Sequence, residues 1–600
     1  MSKTLGLAIP ELVKPDKEHF DLRHKHVDEW LDNLPRANIG ETARAVFETL
    51  VDINRYKHPH QNRIHFLEAS RETVMYVTDA MKRHFVGINA PLPLKNQKIV
   101  AATREIHHAM AISYMIAIET YLGASLFFSD HKLLATMIQR ALSSLGKVLL
   151  TSYQTYSPYP TNIWSEIHKL YAAAESHKLL NITIIDDQNI HNIKTSINAE
   201  YIRILLLALT SPYRLRHGEA GKIYSVVERW NSKSKLKTPE NITQSNTLFA
   251  VNLASDEPPR NYSLMKNVAE SEFCRVLDSS ALTKAIRKDL KHGFKTGETT
   301  ITSIEMSRPD LSQDLMKRLL IAWCILPKRS YPRSDVEENI QVTLGLTATH
   351  QVIINGTRGN NEQSGDEFDH TASYETNKVS KSVADKQPDV WEMIYFPSDA
   401  EGLENLEEQL HKDQGSKSPA KKQQTETWLI LNESARGYCI KSINEPKNRA
   451  QVGELIGIHR QTSTVTWKWG VGVIRWLRTE PGNNSLMMGI EMLTPDAAAI
   501  GMRAISNARH DYQRTLMLPE LSAVNQPTTL ITTAVPYRVG HKLVINILGK
   551  EILIRLSKQV QNTGLFAQFQ FEIMEEQSAV VKGEQRDENS SDFSGVWTSI

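Results

Sequence analysis

The stretch between residues 427 and 440 places the tightest constraint on how this chain can fold. An apolar run, Thr427–Leu431, is followed by the polar segment Asn432–Gly437, and an apolar run resumes at Tyr438. Short apolar runs separated by Asn, Ser and Gly are typical of two strands joined by a turn, because these residues accept the backbone conformations that turns need. The pattern therefore predicts an antiparallel hairpin with the polar segment as its turn.

Further apolar runs surround this hairpin at short intervals. They are rich in β-branched and aromatic residues and are bounded by Gly or polar residues, as strands are. Several short strands at this spacing are typical of a small antiparallel barrel. The runs are Ile340–Leu346, Gly453–Ile458, Trp469–Trp476 and Met488–Leu493.

The order of these motifs resembles that of PilZ domains, which are bacterial receptors for the second messenger cyclic di-GMP. The turn contributes the signature N-x-S-x-x-G through Asn432, Ser434 and Gly437. It is followed by V-G-E-L-I, by W-x-x-G-V-x-x-x-R-W and by M-G-I-E-M-L. The resemblance implies a PilZ-like β-barrel in the C-terminal part of the chain.

The PilZ signature also includes an R-x-x-x-R arm ahead of the barrel. Arg329 and Arg333 form such a pair, shortly before the strand-like run at 340–346. The connection from this pair to the hairpin is longer than is usual in the family, so the polar block between them is interpreted as an insertion. Lys417 and Lys421 form a K-x-x-x-K closer to the turn and are the alternative arm.

Cyclic di-GMP presents two guanines and two phosphodiesters, so its receptor needs planar donors and anion-binding groups. An arginine fork can bond guanine N7 and O6 or a phosphate, and its plane can stack on a base. The resemblance implies an arginine arm on one side of the ligand and the signature turn on the other. The candidate ligand-binding residues are therefore Arg329, Arg333, Asn432, Ser434 and Gly437, with Arg436 and Arg475 as additional contacts outside the signature.

Length and composition bound the remaining possibilities. With 600 residues, of which 40% are hydrophobic, the chain is too long for one core, and several domains are expected. The net charge of +2 gives no reason to expect a nucleic-acid polymer or an anionic membrane as a partner. The three cysteines form no C-x-x-C pair, which predicts neither disulfides nor a zinc site and favours a reducing interior.

No transmembrane segment is predicted. The N-terminus lacks the apolar core of a signal peptide. The most apolar window, Ala109–Phe128, contains Glu119 and is too interrupted to predict a membrane span. The expected localisation is therefore cytoplasmic.

Helical periodicity dominates the first 230 residues. Apolar residues recur at one face of a helix from Ile39 to Ile53, and similar patterns continue to Leu209. This predicts an α-helical bundle or an irregular helical repeat. The resemblance to PilZ domains also implies a helix over Pro495–Ser506, after the last strand of the barrel.

The predicted architecture is a multidomain α+β chain. The predicted parts are an α-helical domain at 1–230, a mixed, mostly helical connecting region at 231–326, a PilZ-like antiparallel β-barrel at 327–506 with a disordered insertion near 356–389, an additional small β module at 507–574 and a disordered tail at 575–600.

The sequence shows no motif that predicts an enzyme. His107 and His108 are adjacent on a helical pattern, but no H-E-x-x-H motif accompanies them. P-loop and G-x-S-x-G motifs are also absent. Cys439 lies in a predicted strand and is expected to be a small core residue rather than a nucleophile. We therefore predict no catalytic residue, no metal and no cofactor.

The resemblance implies a cyclic di-GMP effector that acts in signal transduction. The β region would sense the nucleotide, and the helical region would bind an unidentified protein partner. Ordering of the arm at Pro327–Asp335 by the ligand would change how the two halves sit together, with an output in motility, pili, surface attachment or biofilm formation. The alternative is a PilZ-like scaffold that binds no nucleotide and whose helical region binds proteins constitutively.

Overall fold

The computed structural model describes two compact units, a helical unit that ends at residue 324 and a β unit that begins at residue 331. Arg329, Lys417, Lys421, most of the predicted insertion and all of the predicted tail lie outside the described residues. The described residues are 5–574 except 16–18, 125–129, 240–245, 265–270, 297–310, 325–330, 360–424, 461–468, 481, 483, 506–511, 521–525 and 548.

The helical unit contains long amphipathic helices. Its described helices are α1 (His24–Asp32), α2 (Ile39–Ile53), α3 (His60–Lys82), α4 (Leu94–Ala124), α5 (His131–Gln154), α6 (Ile163–Ser176), α7 (Ile197–Leu209), α8 (Glu219–Trp230), α9 (Ser280–Thr296) and α10 (Gln313–Cys324), with short 3₁₀ turns at Pro212–Arg214, Asn231–Lys233 and Tyr262–Leu264.

Helix α2 shows how the sequence pattern produces this packing. Val46, Leu50 and Ile53 recur on one face of the helix and are fully buried. The side chain of Asn38 caps the helix by accepting a hydrogen bond from the backbone N–H of Glu41. Residues from all ten helices join one continuous hydrophobic core. The predicted helical N-terminal region is confirmed, and its single core favours a bundle over a repeat.

Short strands complete the helical unit. The region at 231–326 packs on the helical core through residues such as Phe249 and Leu277, and the indole N–H of Trp323 donates to the backbone oxygen of Leu206 at 3.1 Å. This region was expected to be mostly helical, but it also contains a four-stranded antiparallel sheet in the order β3-β6-β4-β5. The strands are β1 (Ile184–Ile185), β2 (Lys194–Thr195), β3 (Lys235–Lys237), β4 (Leu248–Asn252), β5 (Arg260–Asn261) and β6 (Cys274–Asp278).

A buried ionic cluster anchors the β1–β2 hairpin to the bundle. Asp186, whose side chain is 2% exposed, accepts from Arg71 Nη2 at 2.5 Å and lies 2.8 Å from Arg140 Nη1. Gln139 Nε2 donates to the same carboxylate at 3.0 Å. Burial alone would raise the pKa of Asp186, but the guanidinium groups of Arg140 and Arg71 lower it to about 2. The carboxylate is therefore held in its charged form inside the protein.

One described helix, α5, is long and apolar enough to cross a membrane. However, 72% of its most apolar window is buried inside the protein, so its apolar side chains belong to the core of the bundle. The window that the sequence marks as most apolar, Ala109–Phe128, lies elsewhere, mainly in α4.

The β unit begins with a closed six-stranded antiparallel barrel, in the order β10-β11-β12-β9-β8-β7. Alternate side chains point inward, and Ile340, Ile430, Ile440 and Met488 are at most 1% exposed. The predicted antiparallel barrel is confirmed. Its strands are β7 (Ser334–Leu344), β8 (Glu426–Ser434), β9 (Gly437–Ser442), β10 (Leu455–Arg460), β11 (Gly470–Thr479) and β12 (Leu486–Thr494).

A second closed barrel follows, in the order β13-β14-β15-β18-β17-β16. The helix predicted over Pro495–Ser506 was wrong, because this segment forms the first strand of the second barrel. Ala498, Ile500 and Met502 are buried at every second position, which is the period of a strand. The strands are β13 (Ala498–Ala504), β14 (Gln513–Leu518), β15 (Thr529–Thr533), β16 (Lys542–Ile547), β17 (Lys550–Asn562) and β18 (Phe566–Ile573).

The two barrels pack together around a helix that the sequence did not predict, α11 (Leu346–Gly359). This helix contacts β7 and β10 of the first barrel and β13 and β14 of the second. His350 Nε2 lies 3.0 Å from the backbone oxygen of Ile500, and burial lowers the pKa of this histidine. Val471 of the first barrel and Phe566 of the second belong to one hydrophobic cluster. The barrels therefore share a core.

Candidate functional site

The signature residues Asn432 and Ser434 lie on strand β8 rather than in a turn. The turn itself consists only of Ala435 and Arg436, and β9 begins at Gly437. The longer turn predicted from the sequence was therefore wrong. Because alternate residues of a strand share one face, Asn432 and Ser434 present their side chains on the same side of β8.

A row of paired residues crosses the outer face of the barrel at the level of Asn432. Asn432 pairs with Asp335 on β7 and with Cys439 on β9. Cys439 pairs in turn with Gly489 on β12, which pairs with Trp476 on β11. Ile440 and Met488, which are next to Cys439 and Gly489 in sequence, fill the interior, so Cys439 and Gly489 face outward. A register shift between Ile430 and Asn432 brings Asn432 opposite Cys439 on this outer side, although Ile430 fills the interior. We call the outer surface around this row the signature face.

Arg333 stands directly beside the signature face. It precedes the first residue of β7, Ser334, which pairs with Glu433, so Arg333 lies level with Ser434. Arg333 is exposed. Burial raises the pKa of the Cys439 thiol, and the positive charge of Arg333 acts on that thiol in the opposite direction. The backbone register therefore places Arg333 at the edge of the signature face, next to the strand that carries Asn432 and Ser434.

Asn432 has an unused acceptor. Within the part of the chain that the structure describes, its buried Oδ1 has no hydrogen-bond partner. Most buried polar side-chain atoms in proteins are paired, so an unpaired acceptor on an outer face is a candidate ligand contact. Ser434 Oγ, in contrast, donates to the backbone oxygen of Gly437 at 3.3 Å, a long bond that leaves the hydroxyl able to accept.

Gly437 is required by strand packing. A Cβ atom at this position would lie 1.9 Å from the backbone oxygen of Ile490 on β12. No side chain can occupy that space unless the two strands separate. The third residue of the signature therefore has a role in closing the barrel, which the sequence did not indicate.

The two arginines outside the signature have different surroundings. Arg436 is exposed in the turn, and its backbone oxygen accepts from the N–H of Met492 at 2.9 Å. Arg475 lies at an irregularity of β11, where its Nε donates to Glu491 Oε2 at 2.7 Å. Glu491 pairs with Gly437, so Arg475 borders the signature face.

Trp476 also lies on the signature face, although the sequence interpretation gave it no role. A Cβ atom at position 489 would lie 1.7 Å from Trp476 Nε1, so the indole occupies the space above Gly489. The ring is half-buried. Base–aromatic stacking contributes about 1–3 kcal/mol per base, which makes this indole a candidate platform for guanine. The available signal was a tryptophan opposite a glycine on neighbouring strands, but their register was unknown.

Two carboxylates near the signature are neutralised on the opposite side of the sheet. Arg460 Nη2 lies 2.5 Å from Glu338 and its Nη1 lies 2.9 Å from Glu433. The hydrogen bond to Glu338 is the main cause of the raised pKa of Arg460. Glu433 alternates with Asn432 and Ser434 along β8, so it faces away from them. These carboxylates therefore do not oppose an anion at the signature face.

The structure thus brings Arg333, Asn432 and Ser434 together, with Trp476 and Arg475 at the border of the same face. Arg329 and the alternative pair Lys417 and Lys421 lie outside the described residues. No group of three or more His, Cys, Asp or Glu side chains in the described ranges is arranged to hold a metal ion. The chemistry that the face offers is therefore hydrogen bonding, anion pairing and stacking.

Comparison with known families accounts for nearly the whole chain. Residues 25–240 match the N-terminal domain of the cyclic-di-GMP receptor FimW, residues 248–499 match its middle PilZ domain, and residues 499–574 match its C-terminal β-barrel domain. The middle match begins at the first residue of β4, well before the first strand of the barrel at residue 334.

A full-length relative supports these matches. The cyclic-di-GMP receptor FimW of Pseudomonas aeruginosa is 27% identical over 628 aligned positions, which cover 100% of this chain and 99% of the relative. The family descriptions are those of a receptor rather than of an enzyme. The chain therefore belongs to the PilZ-domain cyclic di-GMP receptor family, with a helical N-terminal region ahead of its barrels.

Proposed function

We propose that this chain is a cytoplasmic receptor for cyclic di-GMP and that the signature face binds the nucleotide. The observation that carries the proposal is the position of Arg333 at the start of β7, level with Ser434 and two residues before the Asp335–Asn432 pair, on a PilZ-type barrel. The relative described above is a cyclic-di-GMP receptor by name, which supports the same ligand.

The described residues offer a complementary contact for each part of the ligand. The Arg333 fork would bond guanine O6 and N7 or a phosphate, as a charge-assisted hydrogen bond. The Oδ1 of Asn432 would accept from a guanine N–H, which would pair its unused acceptor. The indole of Trp476 would stack on a base. Arg329, four residues upstream of Arg333, would complete the arm, as the family resemblance implies.

Binding would act through the connection between the two units. The arm at 327–335 leads from the helical unit directly into β7. A ligand that holds Arg333 against the barrel would favour conformations in which this connection is ordered, and its differential affinity would set the size of the shift. The helical unit would then bind or release a protein partner that controls motility, pili, surface attachment or biofilm formation. The proposed role involves no catalytic step.

Isothermal titration calorimetry of the full chain with cyclic di-GMP tests this proposal. Hydrogen bonds to charged groups contribute about 1.5–3 kcal/mol, so Arg333→Ala should raise the Kd by about 10-fold or more. Asn432→Ala should also weaken binding. Arg555→Ala is the matched control, because Arg555 is 52% exposed on the second barrel and pairs only with Glu572 among the contacts that the structure gives it. It should leave the Kd unchanged.

The alternative is a PilZ-like scaffold that binds no nucleotide. A ligand that binds only the folded state must raise the thermal melting midpoint of the protein. An unchanged midpoint at saturating cyclic di-GMP, together with no heat in the titration, would reject the receptor proposal and favour the scaffold. Unchanged affinity of a variant with both Arg329 and Arg333 replaced by Ala, alongside binding by the parent, would instead assign the arm to Lys417 and Lys421.

A further inference from the structure

Arg475 is held from two sides by residues of two different barrels. On the first barrel its Nε donates to Glu491 Oε2 at 2.7 Å. On the second barrel its Nη2 donates to Gln561 Oε1 at 3.2 Å. An arginine side chain has five N–H donors, so these contacts leave three for another partner. The side chain is 31% exposed, so part of the guanidinium remains open to solvent.

Gln561 is itself fixed by a buried chain of polar groups. Its Nε2 donates to Gln568 Oε1 at 2.8 Å, and Gln568 Nε2 donates to Thr529 Oγ1 at 2.9 Å. Gln568 is 2% exposed and Thr529 is fully buried. Because the amide nitrogen of Gln561 is used by Gln568, its oxygen faces Arg475. The strand register of β17 shifts between Gln559 and Gln561, and such irregularities change the direction in which side chains point, as β-bulges do.

The neutrality of Gln561 affects the charge at the site. Glu491 balances the formal positive charge of Arg475, and a second carboxylate at position 561 would give the group a net negative charge that repels an anion. An amide oxygen orients the guanidinium without adding negative charge. The pair Glu491–Arg475 also sits one strand from the signature, because Glu491 pairs with Gly437, and Gly437 pairs with Ser434.

We infer that the C-terminal barrel forms one wall of the nucleotide site, with Gln561 as the residue that positions Arg475 to donate to a phosphodiester of the bound cyclic dinucleotide. This inference rests on the proposed function and extends it to a barrel that no signature residue occupies. It assigns the hydrogen-bonded side chains of Gln561, Gln568 and Thr529 a role in ligand affinity, in addition to their role in barrel stability.

A double-mutant cycle on the affinity for cyclic di-GMP tests the inference. The titration compares the unmodified full chain with Arg475→Met, Gln561→Met and the double variant. If Gln561 acts through Arg475, Gln561→Met should raise the Kd by about 3- to 10-fold in the parent and have no further effect once Arg475 is replaced. Gln559→Met is the control, because Gln559 is exposed on the same strand, on the other side of the irregularity.

Three outcomes of the cycle would overturn the inference. One is an unchanged Kd for Gln561→Met, and another is an equal loss with and without Arg475. The third is a loss of affinity for Gln559→Met as large as that for Gln561→Met, which would indicate a general effect on strand β17. Absence of binding by the unmodified chain would overturn the proposed function as well, so the two failures are distinguishable.

Hydrogen exchange in the unmodified chain keeps the inference testable if Gln561→Met does not fold. Addition of cyclic di-GMP should slow amide exchange in β17 near residues 559–562, in addition to β8 and β9. Slowing that is confined to the first barrel would overturn the inference, because the second barrel would then not sense the ligand.

Discussion

The neighbouring residues Asp186 and Asp187 provide a matched pair for testing how burial sets the strength of an ion pair. Both carboxylates contact Arg71, at 2.5 Å and 3.2 Å, but their side chains are 2% and 82% exposed. Asp186→Asn would remove the nearest counter-ion that Arg71 and Arg140 share and leave them with the longer contacts to Glu68. Removing one partner of a buried pair costs about 3–5 kcal/mol, whereas exposed pairs contribute about 0–1 kcal/mol.

The pKa of Asp186 gives an independent magnitude for the same interaction. Its fall from 3.8 to about 2 corresponds to about 2.5 kcal/mol of stabilisation of the charged form. Because the pKa is lowered on folding, this stabilisation is present above 3.8 and is lost as the pH falls towards 2. We therefore expect Asp186→Asn to lower the free energy of unfolding of the helical unit by about 2–5 kcal/mol at neutral pH.

Urea denaturation followed by far-ultraviolet circular dichroism measures this effect in the full chain, because most helices belong to the helical unit. Asp187→Asn should change the free energy of unfolding by less than about 1 kcal/mol. The difference between parent and Asp186→Asn should also shrink below pH 3.8, where the parent carboxylate begins to be protonated in the unfolded state. Equal effects of the two substitutions would refute the reasoning, since both carboxylates contact Arg71 but only Asp186 is buried and also contacts Arg140 and Gln139.

Three further predictions concern the β unit. Burial raises the pKa of Glu454 to about 7, so the parent protein loses stability as the pH rises from 4.5 through 7. In urea denaturation, Glu454→Gln should therefore be more stable than the parent by up to about 3 kcal/mol at about pH 8 and similar to it at about pH 4. Gly437→Ala should destabilise the first barrel by about 3 kcal/mol in thermal or urea melts, because the new methyl group would meet the backbone oxygen of Ile490. Gly470→Ala should lower the stability less, because its methyl group would first meet the flexible end of Met492. Unchanged stability of Gly437→Ala would contradict the contact with Ile490. Addition of cyclic di-GMP should change the tryptophan fluorescence of the parent and should change that of Trp476→Phe much less. An equally large change in the variant would show that the indole of Trp476 does not contact the ligand.

Much of the fold was predictable because its side chains repeat with the period of the element that they form. The helical pattern from Ile39 to Ile53 coincides with α2, and the apolar runs around the hairpin all became strands of the first barrel. The segment after β12 was mispredicted as a helix because the resemblance implies one after a PilZ barrel, and Ala498, Ala499 and Met502, as good helix formers, do not contradict it. Closure of the second barrel decided its conformation, since the segment pairs with β14 and β16.

The candidate site was only partly predictable. The sequence indicated Asn432, Ser434 and Arg333, because these residues lie within the short motifs N-x-S-x-x-G and R-x-x-x-R. Trp476, Glu491 and Gln561 lie far away in sequence, and only the strand registers and the contact between the barrels bring them near. Long-range register depends on closure of the whole barrel, which no local pattern encodes.

The contact between position 437 and the carbonyl of Ile490 affects how signature matches in related chains should be interpreted. A barrel that has lost its ligand still excludes every side chain from that space, so natural selection for folding alone preserves the glycine. Asn432 and Arg333 have no such constraint from backbone packing, and drift would replace them first. In a diverged homologue, the glycine therefore diagnoses barrel architecture, whereas the amide and the guanidinium diagnose an active receptor.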